Sequence, residues 1–145
     1  MFYFVQKYIF IDNTHKKIAF QIKGNLQVYA FRDLINYEVF EDGSSRISGN
    51  LGGAIVGSVL MGTTGAILGS SLGQTQEKFI DSLELRIRVN DFKTPEFVYK
   101  LINGRTFTYT RMYKKTAEQL RAIIADLEYI SNINKLDKEQ DNANT

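Results

Sequence analysis

The sequence predicts an α+β domain: a small antiparallel sheet or partly open barrel, closed by one C-terminal amphipathic helix and interrupted by a glycine-rich insertion. Apolar and polar residues alternate in short runs along much of the chain. Residues 49–73 hold eight of the eleven glycines and no charged residue. Apolar residues recur at intervals of three and four near the C-terminus. The chain has 145 residues, of which 43% are hydrophobic, and this is enough for one domain with its own core.

The alternating runs predict about seven short strands. Before the insertion they lie at residues 2–11, 16–23, 26–30, 34–41 and 44–48, separated by turn residues. The clearest alternation follows the insertion in DSLELRIRVND, where Leu83, Leu85, Ile87 and Val89 face one way. Residues 96–102 and 105–110 flank Asn103-Gly104, a dipeptide that predicts a hairpin turn.

Residues 113–131 predict the helix, with Tyr113, Ala117, Leu120, Ile124 and Leu127 on one face. Thr116 and Gln119 have the spacing of a capping box for a helix that starts late. Residues 135–145 have no apolar pattern and predict a disordered tail, so we expect one domain over residues 1–134 with an insertion at 49–75. Strands in series closed by one helix match the pleckstrin-homology-like (PH-like) order of elements.

The glycine spacing within the insertion predicts a glycine zipper. Gly49, Gly53 and Gly57 lie four residues apart, as do Gly65, Gly69 and Gly73, so each trio shares one face of a helix. Absent Cβ atoms let another backbone approach closely along such a face, which predicts self-association. Glycine destabilises a helix by roughly 1 kcal/mol relative to alanine, so a partner must compensate. Three arrangements remain open: a helical hairpin packed on itself or on a neighbouring subunit, insertion into a bilayer, and a flexible glycine loop.

Basic residues after the insertion predict a face for an anionic partner. Arg86 and Arg88 share the polar side of one strand, and a sheet would bring further cations and aromatic rings near them: Lys100, Arg105, Arg111, Lys114, Lys115, Tyr99, Phe107, Tyr109 and Tyr113. Anionic lipid headgroups or a nucleic-acid backbone would suit such a face. The alternative is an ordinary solvated sheet face. The net charge of +2 is too small to argue for nucleic acid by itself, and nucleic acid is not the expected partner.

No pattern in the sequence predicts catalysis, a metal or a cofactor. The chain has no cysteine and one histidine, His15, which excludes the usual zinc sites. Residues 57–64 approach the P-loop pattern, but Thr63 stands where the phosphate-binding lysine is needed. Residues 69–73 fit the G-x-S-x-G pattern, but a base would have to come from His15, which precedes the serine. Glu38, Glu41 and Asp42 are expected to form a solvated strand end. We therefore expect a protein that is not an enzyme.

Four segments carry a resemblance to a known domain: AFRDLINYEVFEDG, LGGAIVGSVLMGTTGAILGS, DSLELRIRVND and YKKTAEQLRAIIADLEYI. In this order they resemble a domain of unknown function from Gram-positive bacteria and their phages, often found beside a short SHOCT module. The resemblance covers most of residues 16–131 and implies a bacterial or prophage origin and a non-enzymatic role. Too few residues follow it for a SHOCT helix pair.

The expected function is a binding or assembly module that self-associates or docks on a membrane through the zipper. The alternative is a phage-encoded anti-defence inhibitor that binds a host nuclease or sequesters a signal molecule. The expected partner is a second copy of the chain, with a membrane or a host protein as alternatives. Residues 1–12 lack the features of a signal peptide, so we expect a cytoplasmic location or the inner face of the membrane.

Overall fold

The structure is a computed structural model that describes residues 8–52 and 79–144. Its elements, in order along the chain, are β1 (Ile9–Asp12), β2 (Lys17–Ile22), β3 (Asn25–Ala30), a 3-10 turn (Phe31–Asp33), β4 (Leu34–Glu41), β5 (Ser44–Asn50), β6 (Phe79–Val89), β7 (Glu96–Phe107) and α1 (Arg111–Ala143). The strands form two open antiparallel sheets, in the orders β1-β2-β3 and β5-β4-β6-β7. The predicted α+β class is confirmed. Of the two predicted forms, an antiparallel sheet or a partly open barrel, the structure has open sheets.

The core lies between the four-stranded sheet on one side and the three-stranded sheet with α1 on the other. Alternation places Val39, Leu85 and Ile87 on the inner face, where all are fully buried. Phe20 of β2 stacks on Phe97 of β7, with ring centroids 4.5 Å apart, and this contact joins the two sheets. One stripe of α1 is also buried, and the outer face of the large sheet is left exposed or half-buried.

The predicted hairpin at Asn103-Gly104 is wrong, because β7 continues through these residues. Ser82 pairs with Asn103 and Ile80 with Thr106, and the register of β6 against β7 shifts between these pairs. Gly104 has a φ of +132°, a conformation that glycine adopts freely. The dipeptide therefore sits at a β-bulge in one long strand, and the unpaired residue is absorbed within the ladder.

The helix is longer than predicted at both ends. Thr110 caps its N-terminus, accepting a hydrogen bond from the Tyr113 amide at 3.3 Å, so the predicted cap at Thr116 is wrong. Residues 135–143, predicted as part of a disordered tail, are helical. Contacts with the domain extend into this part, since Lys16 Nζ lies 3.1 Å from Asp137 Oδ1.

The two ends of the insertion leave the large sheet at opposite ends. Both β5 and β6 pair antiparallel with β4, so they run parallel to each other on either side of it. The Leu51 amide donates to the Ile35 carbonyl at 2.8 Å, which places Leu51 level with the end of β6. Phe79, by contrast, starts β6. The start and the end of β6 are ten residues apart, and at about 3.3 Å per residue the distance between them is roughly 30 Å.

The predicted hairpin insertion at residues 49–75 lies outside the described residues from Gly53 onward. No helix within residues 8–52 and 79–144 combines the length and the apolar character needed to cross a membrane.

Candidate functional site

The first part of the site is the exit junction, which we define as Asn50, Leu51 and Gly52 together with Ser131 and Asn134 of α1. Ser131 Oγ donates to the Asn50 carbonyl at 2.9 Å, and Asn134 Nδ2 donates to the Leu51 carbonyl at 2.6 Å. Asn134 is buried and also donates to a carbonyl of the 3-10 turn at 2.8 Å. The Gly52 amide donates to Asn50 Oδ1 at 2.8 Å. The helix therefore fixes the direction in which the chain leaves the sheet.

The second part is the start of β6, where the chain rejoins the domain. Asp42 occupies the turn between β4 and β5 with a φ of +51°. Its Oδ1 accepts hydrogen bonds from the amides of Asp81 at 2.7 Å and Ser82 at 2.9 Å. The Asp42 amide in turn donates to the Ser82 carbonyl at 3.0 Å. Both flanks of the insertion are thus held by hydrogen bonds to other parts of the domain.

Gly49 lies in β5, and its missing Cβ is needed within the domain. A Cβ there would lie 2.5 Å from Cε1 of Tyr37, whose ring is buried on the inner face of the sheet. Packing within the domain therefore explains why residue 49 is a glycine, although its spacing also places it in a series with Gly53 and Gly57. The other predicted self-association residues, Gly53, Gly57, Gly65, Gly69 and Gly73, lie outside the described residues.

Three residues of the predicted basic face lie together on the outer side of the large sheet. Arg86, Arg88 and Lys100 are each placed by strand register beside a glutamate: Glu38, Glu96 and Glu84, respectively. Arg86 Nη2 also lies 2.9 Å from Glu84 Oε2, and its guanidinium stacks 4.2 Å from the centroid of the Phe40 ring. Cations and carboxylates balance in this part of the face, so it has little net attraction for a polyanion.

The other two predicted residues, Arg105 and Arg111, lie near the start of β6 and at the start of α1. The Arg105 guanidinium stacks 3.9 Å from the centroid of the Phe79 ring. Phe79 contacts Phe107 edge-on at 5.6 Å, and Phe107 contacts Tyr109 at 5.5 Å. Tyr99 and Tyr113, which the sequence analysis also placed near the basic face, are buried in the core.

A family model described as glycine zipper containing PH domain matches residues 2–103, which span all seven strands except the end of β7. The chain belongs to this family. The PH-like architecture and the glycine zipper predicted from the sequence are confirmed at this level. A Gram-positive or phage origin stays a prediction. No curated protein and no solved structure matches the chain.

The described part of this glycine-zipper PH domain contains no group of three acidic or histidine side chains able to hold a metal ion. His15 is exposed in the turn after β1, and its Nδ1 lies 2.8 Å from Asp12 Oδ2. This hydrogen bond lowers the pKa of Asp12. Glu38 accepts a hydrogen bond from Ser45 Oγ at 2.8 Å. The P-loop-like residues 57–64 and the G-x-S-x-G residues 69–73 lie outside the described residues.

The sequence analysis did not predict the exit junction, although the position of Asn134 on the helix could have indicated it. The buried stripe of α1 runs through Ile123, Leu127 and Ile130, and the next position at this spacing is Asn134. A polar residue that continues an apolar stripe must find hydrogen-bond partners when it is buried. The break in the stripe therefore marks a specific polar contact.

Proposed function

We propose that this glycine-zipper PH domain is a non-enzymatic assembly module in which residues 53–73 bring copies of the chain together. The observation that carries the proposal is the restraint of both flanks. The exit junction and Asp42 hold the chain on either side of an uncharged segment that contains two glycine series at four-residue spacing. A domain that fixes both flanks in this way determines where the segment leaves and rejoins the sheet.

The described part of the domain has a core of its own. Twenty-five buried apolar residues form one cluster within the described part of the chain. A helix formed by residues 53–73 would carry a propensity penalty of roughly 1 kcal/mol for each glycine. Close backbone contact with the same segment of a second copy would offset this penalty, because the glycine faces are self-complementary.

The test is the molar mass of the full chain in solution, measured by size-exclusion chromatography with light scattering. We expect the wild type to be oligomeric and the Gly53→Leu/Gly69→Leu variant to be monomeric, with the same urea midpoint for unfolding at low protein concentration. The matched control is Ser70→Leu, which adds the same side chain about 100° around a helix from both Gly53 and Gly69. A monomeric wild type, or a double variant that stays oligomeric, would overturn the proposal.

A further inference from the structure

Exposed aromatic and basic side chains are grouped where the chain rejoins the domain after the insertion. We call this group the aromatic–basic end and define it as Phe79, Arg105, Phe107, Tyr109, Arg111 and Met112. The stacking of Arg105 on Phe79, the contact of Phe79 with Phe107 and the contact of Phe107 with Tyr109 form one continuous chain of side chains. Tyr109 is 53% exposed and Met112 is 39% exposed, so apolar surface faces solvent here.

Among the described residues at this end, the cations Arg105, Arg111 and Lys114 outnumber the carboxylates Asp42 and Asp81. Asp81 lies 3.4 Å from Arg105, but both side chains are more than half exposed, so their interaction is weak. Among the described residues, Arg111 and Lys114 form no ion pair with a carboxylate. The first turn of α1 contains no acidic residue. The positive end of the helix dipole therefore lies beside these cations, an arrangement that an external anionic surface would stabilise.

We propose that the aromatic–basic end docks on an anionic lipid bilayer. Tyrosine, phenylalanine and methionine at the edge of a domain suit the boundary between headgroups and acyl chains, where aromatic rings concentrate. Lysine and arginine beside them gain from the negative potential of an anionic leaflet. Exposed Phe79 and Met112 favour a bilayer over a nucleic-acid backbone, because a phosphate chain offers no apolar region to receive them. The inference does not rest on self-association through the zipper.

Co-sedimentation of the full chain with lipid vesicles tests the charge contribution. The two vesicle types are phosphatidylcholine alone and phosphatidylcholine mixed with phosphatidylglycerol. We expect the wild type to bind the mixed vesicles far more strongly, and Arg111→Gln/Lys114→Gln to lower that partition coefficient by about 25-fold, since each cation contributes about fivefold. The control Lys135→Gln/Lys138→Gln removes the same charge from exposed positions elsewhere on α1 and should bind like the wild type.

The apolar contribution is tested with Tyr109→Ser/Met112→Ser. We expect its partition coefficient to fall roughly tenfold, because aromatic and thioether groups would no longer enter the interface. The control is Tyr129→Ser/Leu136→Ser, in which Tyr129 has the same 53% exposure as Tyr109. If the two variants bind equally, or if the wild type binds neither vesicle, the proposal is wrong. If the chain binds membranes through the zipper, Tyr109→Ser/Met112→Ser and its control will both keep the wild-type partition coefficient. This result would also overturn the proposal.

The chain has no tryptophan, so a single introduced indole reports its own depth. In Tyr109→Trp we expect fluorescence to be quenched by brominated lipids in mixed vesicles, whereas Tyr129→Trp should be quenched little. Weak quenching of Tyr109→Trp, combined with binding to heparin that is as strong as binding to the vesicles, would indicate a soluble polyanion as the partner and exclude the bilayer.

Discussion

Gly49→Ala provides a sharp test of the packing around β5. The added Cβ would lie 2.5 Å from Cε1 of Tyr37 and 2.9 Å from both its Cζ and its hydroxyl oxygen. Ordinary contacts between carbon atoms are about 3.5–4.0 Å, so the two groups must separate by about 1 Å. Tyr37 is only 1% exposed, which leaves its ring little room to move.

The expected loss of stability is about 1–2 kcal/mol. Overpacking a filled core typically costs about 1–3 kcal/mol. Replacing glycine by alanine within a strand recovers roughly 0.5–1 kcal/mol, since alanine loses less backbone entropy on folding. For a domain of this size the difference corresponds to a fall in melting temperature of about 3–8 °C.

Urea unfolding followed by circular dichroism measures this loss, with Gly52→Ala as the matched control. Among the described residues, a Cβ at Gly52 would meet Asn50 Oδ1 at 3.5 Å and the Leu34 carbonyl at 3.8 Å, both ordinary contacts. Tyr37→Leu should reduce the penalty of Gly49→Ala in the double variant, because the smaller side chain makes room. If Gly49→Ala leaves the stability unchanged but alters the molar mass, the proposed clash with Tyr37 is refuted. Gly49 would then act in self-association as part of the zipper.

Three further substitutions test the flanks and a loop, each by its urea midpoint. Asn134→Ala should destabilise by about 2–4 kcal/mol because two buried carbonyls lose their donor, whereas exposed Asn132→Ala should change stability by less than about 0.5 kcal/mol. Asp42→Ala should be less stable than Asp42→Gly by about 1 kcal/mol, because only glycine adopts the positive φ without strain. A hydrogen bond from Tyr29 lowers the pKa of Asp91, so its contribution is present above the unfolded pKa and is lost as pH falls through the folded pKa. Asp91→Asn should therefore show a smaller loss of stability in acid than the wild type, and equal acid sensitivity of the two would contradict this.

Strands with one buried face were predictable because alternation is a local signal. Residues 34–41 were predicted as a strand and form β4 with the same bounds, and the alternation around Leu85 correctly assigned the buried side of β6. The dipeptide Asn103-Gly104 led to a wrong hairpin prediction, because the preference of these two residues for turns is also a local signal. Its actual place within β7 depends on the pairing of β7 with β6. Strand pairing between distant segments is set by the whole sheet, and a dipeptide preference does not report it.

The basic face was also only partly predictable from local sequence patterns. Arg86 and Arg88 were correctly placed on one side of a strand, but the glutamates beside them come from β4 and β7. Charge balance on a sheet depends on register between strands, which the sequence pattern alone does not specify. The exit junction depends likewise on the contact of α1 with residues more than eighty positions away.

The parallel course of β5 and β6 limits how this domain can be shortened. Their antiparallel neighbour β4 lies between them, so the chain must travel back along the sheet before the next strand can start. A connector of roughly ten extended residues is the minimum that covers this distance. Excision of the glycine-rich segment with a tight turn in its place would therefore force a different strand order. A zipper-free version engineered for crystallisation needs a linker well above that minimum, and a relative that lost the glycines would have to keep a bridge of comparable reach.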